Sequence, residues 1–587
     1  VVLLLLGTFL LLYKFPAVPV GLHQDEMSEA YEAYSLLHTG ADRWGYHLPV
    51  YFLSWGSGQN VLQSYLTIPV VAALGLTRLS ARLIPILCGL LTLPLFFLTV
   101  RRWCGDAVAL LALLFLVLSP WHIMLSRWGT ENSPLPFFLI LGVYLFGLAL
   151  DTGAMWLIVL SLVPFALAEY TYGVMVVVAP VLVPLLLAMR FRCIRRQGPA
   201  QQRGWVAALV LFALLSLPLG FFTVKNYVTK KNYSFETHLP FTVPLLPATR
   251  LQQAHNEMTR PTVVGHNIHF IGKGLSDRAQ WYMPWFQLPD VLPVPVILLA
   301  FALLGMSWVT WRAWRDKTFH EPFMLWLVAS VPLLFLIPLT ISRATEIFLP
   351  LLALAAIGCA QFVEWLWGRS RVRALVYVVM SGCAVAFLLP TVRFLREYYG
   401  PAYVAEATPT FNPKLPEALQ AALRMATPGT PIYVTHTIYL NYVQVLFLTH
   451  VDPHVFQTSG ATITHPDFGP YRFSRDTLAQ IPGSFVFLVK DDDVEQWNVR
   501  YALDARLQRP ALTSAETLQR WNRLLPKEAV EDLNERLRAI GVKSLPEVTE
   551  AAERLAKDET LRVETTPVCA APEQVVAMGQ FLVGRCP

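Results

Sequence analysis

The acidic pair Asp25-Glu26 opens the segment 23-HQDEMSEAYEAYSLLHTG-40, directly after an apolar stretch. A carboxylate held between a membrane-crossing helix and water is well placed to take a proton from a hydroxyl within hydrogen-bond reach. Capping accounts for the same residues, with Asp25 as N-cap and acids in the first turn opposing the helix dipole. Both roles can hold at once. Further on, 126-SRWGTENSPLPFF-138 carries Arg127 and Glu131 as the only charges between two apolar runs. Glu131 could converge with Asp25 on a sugar or share a divalent metal ion with it, and Arg127 could hold a phosphate. Capping or snorkelling at a span end also explains both residues.

Four more residues complete the polar set. In 169-EYTYG-173, Glu169 and Tyr172 offer hydrogen bonding and stacking to a substrate, or form part of an interfacial aromatic belt. Lys225, near Lys230 and Lys231, supplies positive charge. Arg343 sits in 340-TISRATEIFLP-350, where its planar fork suits phosphate oxygens or a surface pair with Glu346. His23, His38, His47, His266 and His269 have no metal-ligand spacing and read as loop histidines. There is no phosphate-binding P-loop, dinucleotide fingerprint or nucleophile elbow in a meaningful setting, so no pocket for a soluble nucleotide is recognisable.

The elements that must position these residues follow from composition. The 587 residues are 55% hydrophobic and 15% charged, against about a quarter charged in soluble domains. A soluble enzyme, a disulfide scaffold and a disordered chain are excluded as whole-chain readings, and no nucleic-acid signature appears. Residues 1–397 carry 28 Lys+Arg against 18 Asp+Glu, whereas residues 398–587 carry 18 against 22. The fold class is therefore an α-helical polytopic membrane protein with a soluble tail: a transmembrane domain over 1–395 and an α/β domain over 396–587.

A bilayer core takes about 20 apolar helical residues. Eleven stretches qualify, near 1–14, 82–100, 106–125, 132–150, 154–170, 173–190, 205–223, 291–311, 321–339, 345–366 and 374–395. The stretch 59–76 is a weaker candidate whose inclusion would invert every later loop. The chain begins inside the first stretch without Met, so a start and a short leader are expected to precede it, and no cleaved signal is expected. One set of short loops holds 13 Lys/Arg in 38 residues and is expected to face the cytoplasm. The long loops 15–81 and 224–290, the turns near Arg127, Thr171 and Arg343, and the tail then lie outside. In the segment after Asp25, Met27, Ala30, Tyr31, Tyr34 and Leu37 share one helical face opposite Glu26, Glu29 and Glu32, which predicts a short helix lying on the membrane surface and stopping at Gly40. The tail predicts strands at 432–436, 484–490 and 561–566 and helices at 414–426 and 527–557. Cys569 and Cys586 could pair in an oxidising compartment.

The order of features, Asp-Glu opening an outer helix, then 39-TGADRWGYHLPVYF-52, SPWHIMLSRWGTENSPLPFF (119–138), EYTYG (169–173) and SRATEIFLPLLALAAIG (342–358), resembles the polytopic GT-C glycosyltransferases. It is nearest to bacterial relatives of protein O-mannosyltransferases and of the lipid A aminoarabinose transferase, and covers roughly 1–395. The resemblance implies a plasma-membrane enzyme that moves a sugar from a polyprenyl-phosphate carrier to a glycan, lipid or protein acceptor on the outer side. By matching position, Asp25 would be the catalytic carboxylate, Glu26 its partner, Glu131 the second acid, and Arg343 a basic group near the donor phosphate. Many relatives carry Asp where this chain has Glu131-Asn132, which leaves metal dependence open. The rival class is a transporter or lipid-linked-glycan flippase, which would carry ionisable residues near mid-bilayer and matching halves. A glycan ligase using the same donors would differ only in the length of chain transferred.

Overall fold

The computed structural model describes residues 1–54, 57–249, 260–271, 286–288, 291–369, 373–435, 438, 440–473, 483–490 and 574–586. They divide into two compact units, Val1–Asn412 with Thr449–Gln457, and Pro413–Leu448 with Thr458–Pro587. The helix Pro401–Phe411, which follows the last apolar stretch, belongs to the first unit.

The first unit is a bundle of apolar helices. Among the described residues seven are long and apolar enough to cross a membrane: Arg78–Cys104, Leu135–Thr152, Met175–Arg196, Pro199–Thr229, Val296–Asp316, Thr345–Arg369 and Arg373–Tyr398. Shorter apolar helices cover Val2–Leu12, Leu62–Leu74, Asp106–Val117, Met155–Glu169 and Phe323–Leu336. Every one of the eleven expected stretches is therefore helical, but only seven reach full spanning length in one piece. Proline accounts for three of the interruptions, because its ring and missing N–H break the helical ladder. Pro120 opens a separate helix, Pro120–Leu125, after the chain turns at Leu118-Ser119. Pro164 follows the break at Ser161-Leu162, and Pro332 the one at Val331. The helix Leu62–Leu74 lies in the stretch left uncertain by the sequence.

Four N-terminal helices matter most for the polar residues: α1 (Val2–Leu12), α2 (Gln24–Thr39), α3 (Leu62–Leu74) and α4 (Arg78–Cys104). The predicted helix after Asp25 is α2, and Gly40 ends it in the left-handed region at φ 68°. Its placement differs from expectation. Rather than resting on the membrane with its acids in water, α2 is enclosed: Glu26, Glu29 and Glu32 are buried, as are Met27, Ala30 and Tyr31 on the other side. Its N-cap is His23, not Asp25. The acidic face can turn inward because Arg82 of α4 and Arg43 of the following loop supply buried counter-charges. The start of α4 is capped in turn by Thr77, whose hydroxyl accepts the Ser80 N–H at 3.1 Å.

The helices Val296–Asp316 and Phe348–Arg369 pack most extensively. They meet at Gly305 and Gly358, where an added Cβ would strike the carbonyls of Leu354 and Phe301 respectively. Such small-residue contacts are how helices approach closely in lipid, where no hydrophobic force drives them together.

The second unit holds a five-stranded sheet in the order β2-β1-β3-β5-β4, with β1 Ile432–Val434, β2 Tyr471–Arg472, β3 Phe485–Lys490, β4 Gln574–Met578 and β5 Phe581–Cys586. β1 runs parallel to β2 and β3, while β5 is antiparallel to both β3 and β4. The helix Leu415–Met425 covers it with Leu415, Ala418, Leu419 and Ala422. β1, β3 and that helix coincide with sequence expectations. The expected strand 561–566 and helix 527–557 lie outside the described residues, as does Cys569; Cys586 is disulfide-bonded.

Overpacking of the glycine contact provides a direct test. Gly358→Ala is expected to lower stability by roughly 1–3 kcal/mol, read as a lower thermal midpoint in detergent. Gly368→Ala, which meets nothing within 4 Å, should not lower the midpoint, since Ala is the better helix former.

Candidate active site at the N-terminus of α2

Glu26 and Arg82 form the centre of the site. Both side chains are fully buried. Glu26 Oε1 accepts from Arg82 Nε at 2.6 Å and from the Gly129 N–H at 2.9 Å. Its Oε2 accepts from Arg82 Nη2 at 2.8 Å and from the His23 N–H at 2.9 Å. The remaining donors of Arg82 go to the carbonyls of Pro16, Pro19 and Gly21 at 2.7, 2.8 and 3.0 Å. All five N–H groups of the guanidinium are thus used. The pair ties three segments to one point: the chain entering α2, the first turn of α2, and the loop carrying Gly129. Gly129 itself has no room for a side chain, since a Cβ would meet the Ala81 carbonyl.

A second ion pair holds the middle of α2. Arg43 Nε lies 3.1 Å from Glu32 Oε1, and the Arg43 N–H donates to Glu32 Oε2 at 2.9 Å. Its other nitrogens donate to Ser28 Oγ at 3.0 Å and Ser54 Oγ at 2.9 Å. Between the two pairs sits Glu29, which sequence reading passed over. Its carboxylate takes the Ser64 hydroxyl of α3, and its Oε1 is buried without a hydrogen bond. Burial pushes the Glu29 carboxyl well above its ordinary value of 4.5, and the charges of Glu131, Glu32 and Asp25 push the same way against the Ser64 hydrogen bond. Burial thus favours the protonated form of Glu29.

Asp25 differs from its neighbours. Its side chain is 29% exposed, whereas Glu26, Glu29 and Glu32 are buried. Its N–H donates to His23 Nδ1 at 3.3 Å, an acceptor that exists only while the imidazole is neutral. Burial, and then the nearby Arg82 charge, lower the His23 pKa to about 3, so the 3.6 Å approach of Asp25 to that ring is not an ion pair at neutral pH.

The other sequence-selected residues separate into two groups. Glu131 joins the Asp25 region: it accepts the Asn60 N–H at 2.5 Å and lies within electrostatic reach of Glu29. Asn60 also donates to the Glu169 carbonyl at 3.0 Å, linking that turn to the same network. Glu169 and Tyr172 are both buried there. Asn132 donates to the Ser342 carbonyl and the Thr345 hydroxyl, both at 3.4 Å, so the turn carrying Arg343 is fastened to the loop carrying Glu131. Arg343 is half-buried, with Nη1 on the Pro338 carbonyl at 2.9 Å.

Arg127 and Lys225 are turned elsewhere. Arg127 donates to the carbonyls of Leu10 and Leu11 at the end of α1, and to Val18 at 3.1 Å, with Tyr399 packed at 5.2 Å from its guanidinium. Lys225 pairs with Glu236 and donates to the Val243 carbonyl at 2.6 Å. Among the described residues, no group of three or more His, Cys, Asp or Glu stands together as a metal site.

Residues 62–217 match the family model of dolichyl-phosphate-mannose-protein mannosyltransferases. Over that stretch the match agrees with the resemblance to protein O-mannosyltransferase relatives. It includes Arg127, Glu131, Glu169 and Tyr172 and does not extend to Asp25, Lys225 or Arg343. Among solved structures the chain is similar to ArnT from Cupriavidus metallidurans bound to undecaprenyl phosphate, at 16% identity and TM-score 0.48 over 86% of this chain and 93% of that one. It is also similar to the apo oligosaccharyltransferase of Archaeoglobus fulgidus, at 14% identity and TM-score 0.47 over 76% of this chain. This chain covers 63% of that structure's length. No curated protein sequence gives a significant match.

Two outcomes test the site's electrostatics. Removing one partner of the central pair, as in Arg82→Ala, should cost about 3–5 kcal/mol because it strands a buried charge, lowering the thermal midpoint. Glu29 binds a proton in the folded state that the unfolded chain releases above its ordinary 4.5. Its contribution to stability therefore falls as pH rises from that value toward neutrality. Glu29→Gln should remove this slope, so that the midpoint difference between variant and wild type grows in the variant's favour with rising pH.

Proposed function

We propose that this chain is an integral-membrane glycosyltransferase that moves a sugar from a polyprenyl-phosphate carrier to an acceptor hydroxyl on the outer face of the membrane, with Asp25 as base. The observation that carries this reading is the contrast along one helix. Of the four acids of α2, three are buried in ion pairs or hydrogen bonds, and Asp25 alone keeps access to solvent. It stands beside the Glu131 loop, which belongs to the stretch matching the mannosyltransferase family. The solved relative with undecaprenyl phosphate, and a further one of Archaeoglobus fulgidus in complex with a dolichol-phosphate, are similar proteins whose bound lipids are of the proposed donor type.

In the proposed reaction the acceptor oxygen attacks the anomeric carbon while Asp25 takes the hydroxyl proton. The bond from that carbon to the carrier phosphate breaks, and the phosphate leaves as an anion that needs no protonation. In-line displacement inverts the anomeric centre. The leaving phosphate calls for positive charge or hydrogen-bond donors aimed at its oxygens. Arg343 retains guanidinium donors beyond the one given to Pro338, and Thr340 and Ser342 lie beside it.

Glu26 acts as a positioning group rather than a proton acceptor, because its oxygens already accept four hydrogen bonds. Glu131 orients the 60–61 turn and borders the site. Arg127 and Lys225 support the frame, since their nitrogens serve carbonyls and Glu236. A divalent cation, were one bound, would be held by Asp25 and Glu131 together with the donor phosphate, a set of the kind Mg²⁺ takes. The outward orientation of the site and of the tail rests on the Lys/Arg bias of the opposite loops.

Membranes carrying wild type should release free polyprenyl phosphate from a matching polyprenyl-phosphate sugar, and Asp25→Asn should slow that release by roughly 10²–10⁴-fold, the range of general-base catalysis. Equal release by the variant would remove Asp25 from its role. Solute uptake into proteoliposomes without any such release would favour a transporter.

A further inference from the structure

At the end of the bundle bearing the basic loops, the helix Val296–Asp316 carries a lateral groove of about 580 Å³ that no step of the proposed reaction uses. Leu303, Met306, Thr310, Trp311 and Trp314 line it along one helical stripe, with Met324 opposite. From Leu303 to Trp314 the stripe rises about 16 Å, roughly half of a hydrocarbon core of about 30 Å. It is therefore one leaflet deep. Its walls are apolar and lipid-facing, and Trp314 is 70% exposed.

Cations gather at one end of this groove only. Arg315 lies over the Trp311 ring at 4.8 Å and Lys317 over Trp314 at 5.1 Å, both rings of the groove wall, whereas Arg312 lies over Trp308 on the opposite face of the helix. Stacking on an aromatic face holds each cation where the stripe meets water. Asp316 is shared by Arg312, Arg315 and His320, and the buried Glu321 lies within electrostatic reach of Arg190 and Arg312. Arg190 donates to the His320 carbonyl at 2.8 Å. The two carboxylates are outnumbered by Arg190, Arg312, Arg315 and Lys317, so this end keeps a positive excess.

We propose that this groove is a binding site for an anionic phospholipid, with one acyl chain along Leu303–Trp314 and the headgroup phosphate between Arg315 and Lys317. A zwitterionic lipid would fill the apolar stripe equally well, yet it offers no net charge to the rim. The proposal is independent of the glycosyl-transfer reading, since the groove includes none of the residues assigned to that reaction.

The test is native mass spectrometry of the detergent-purified full chain, delipidated and then given phosphatidylglycerol or phosphatidylcholine. Wild type should retain the anionic lipid preferentially, and the double variant R315Q/K317Q should lose that preference, on the order of fivefold for each cation removed. Lys317→Gln alone should lose about one such step and serves if the double variant does not fold. Trp314→Ala should weaken retention of both lipids. Equal retention of the two lipids by wild type would overturn the proposal. So would undiminished preference in the Arg and Lys variants, or full displacement of phosphatidylglycerol by inorganic phosphate, which would mark a free-anion site instead.

Discussion

Burying an arginine is tolerable only if every donor finds an acceptor, and Arg82 meets that condition with a carboxylate and three carbonyls. The rest of the site depends on this single guanidinium. It gathers the segment before α2, the first turn of α2 and the loop at Gly129 around a point from which water is excluded. A buried pair gains its coulombic energy at the expense of desolvation, so its net contribution to stability is modest. Its directional effect is not. Shifting any of the tethered segments would leave a buried donor or acceptor unsatisfied, which costs about 1–3 kcal/mol for each group.

On that frame, one helix assigns four acids to different tasks. Glu26 and Glu32 are anchors matched to Arg82 and Arg43, Glu29 is buried with its carboxyl pushed upward, and Asp25 reaches solvent. The chemical type of these side chains is nearly the same, so the assignment comes from environment alone. The upward push on Glu29 lessens negative charge in a region that already contains Asp25 and Glu131 and that, in the proposed reaction, receives an anionic phosphate.

Much of this architecture was legible in the chain. Apolar length located every helix expected between residues 1 and 395, Gly40 marked the end of α2, and strand-like runs at 432–436 and 484–490 found β1 and β3. The motif order suggested the same relatives as the family match over residues 62–217. What the linear pattern missed is instructive. The period-3.6 pattern of α2 was read with apolar residues inward and acids outward, whereas both faces are enclosed. Arg127 looked like a phosphate ligand because it is an isolated charge between apolar runs, yet it closes the open carbonyls at the end of α1. A charge at the start of an apolar span, such as Arg82, was the one signal that could have warned of a buried partner.

Local sequence therefore decided which segments are helical, where they stop and that they live in lipid, because periodicity, proline and apolar length act over a few residues. The roles of the carboxylates belong to the tertiary structure. Glu26 meets Arg82 across 56 positions and Gly129 across 103, and desolvation exists only once those segments close over one another. No spacing rule spans such distances, and the free energy that separates a base from an anchor arises from exactly that closure.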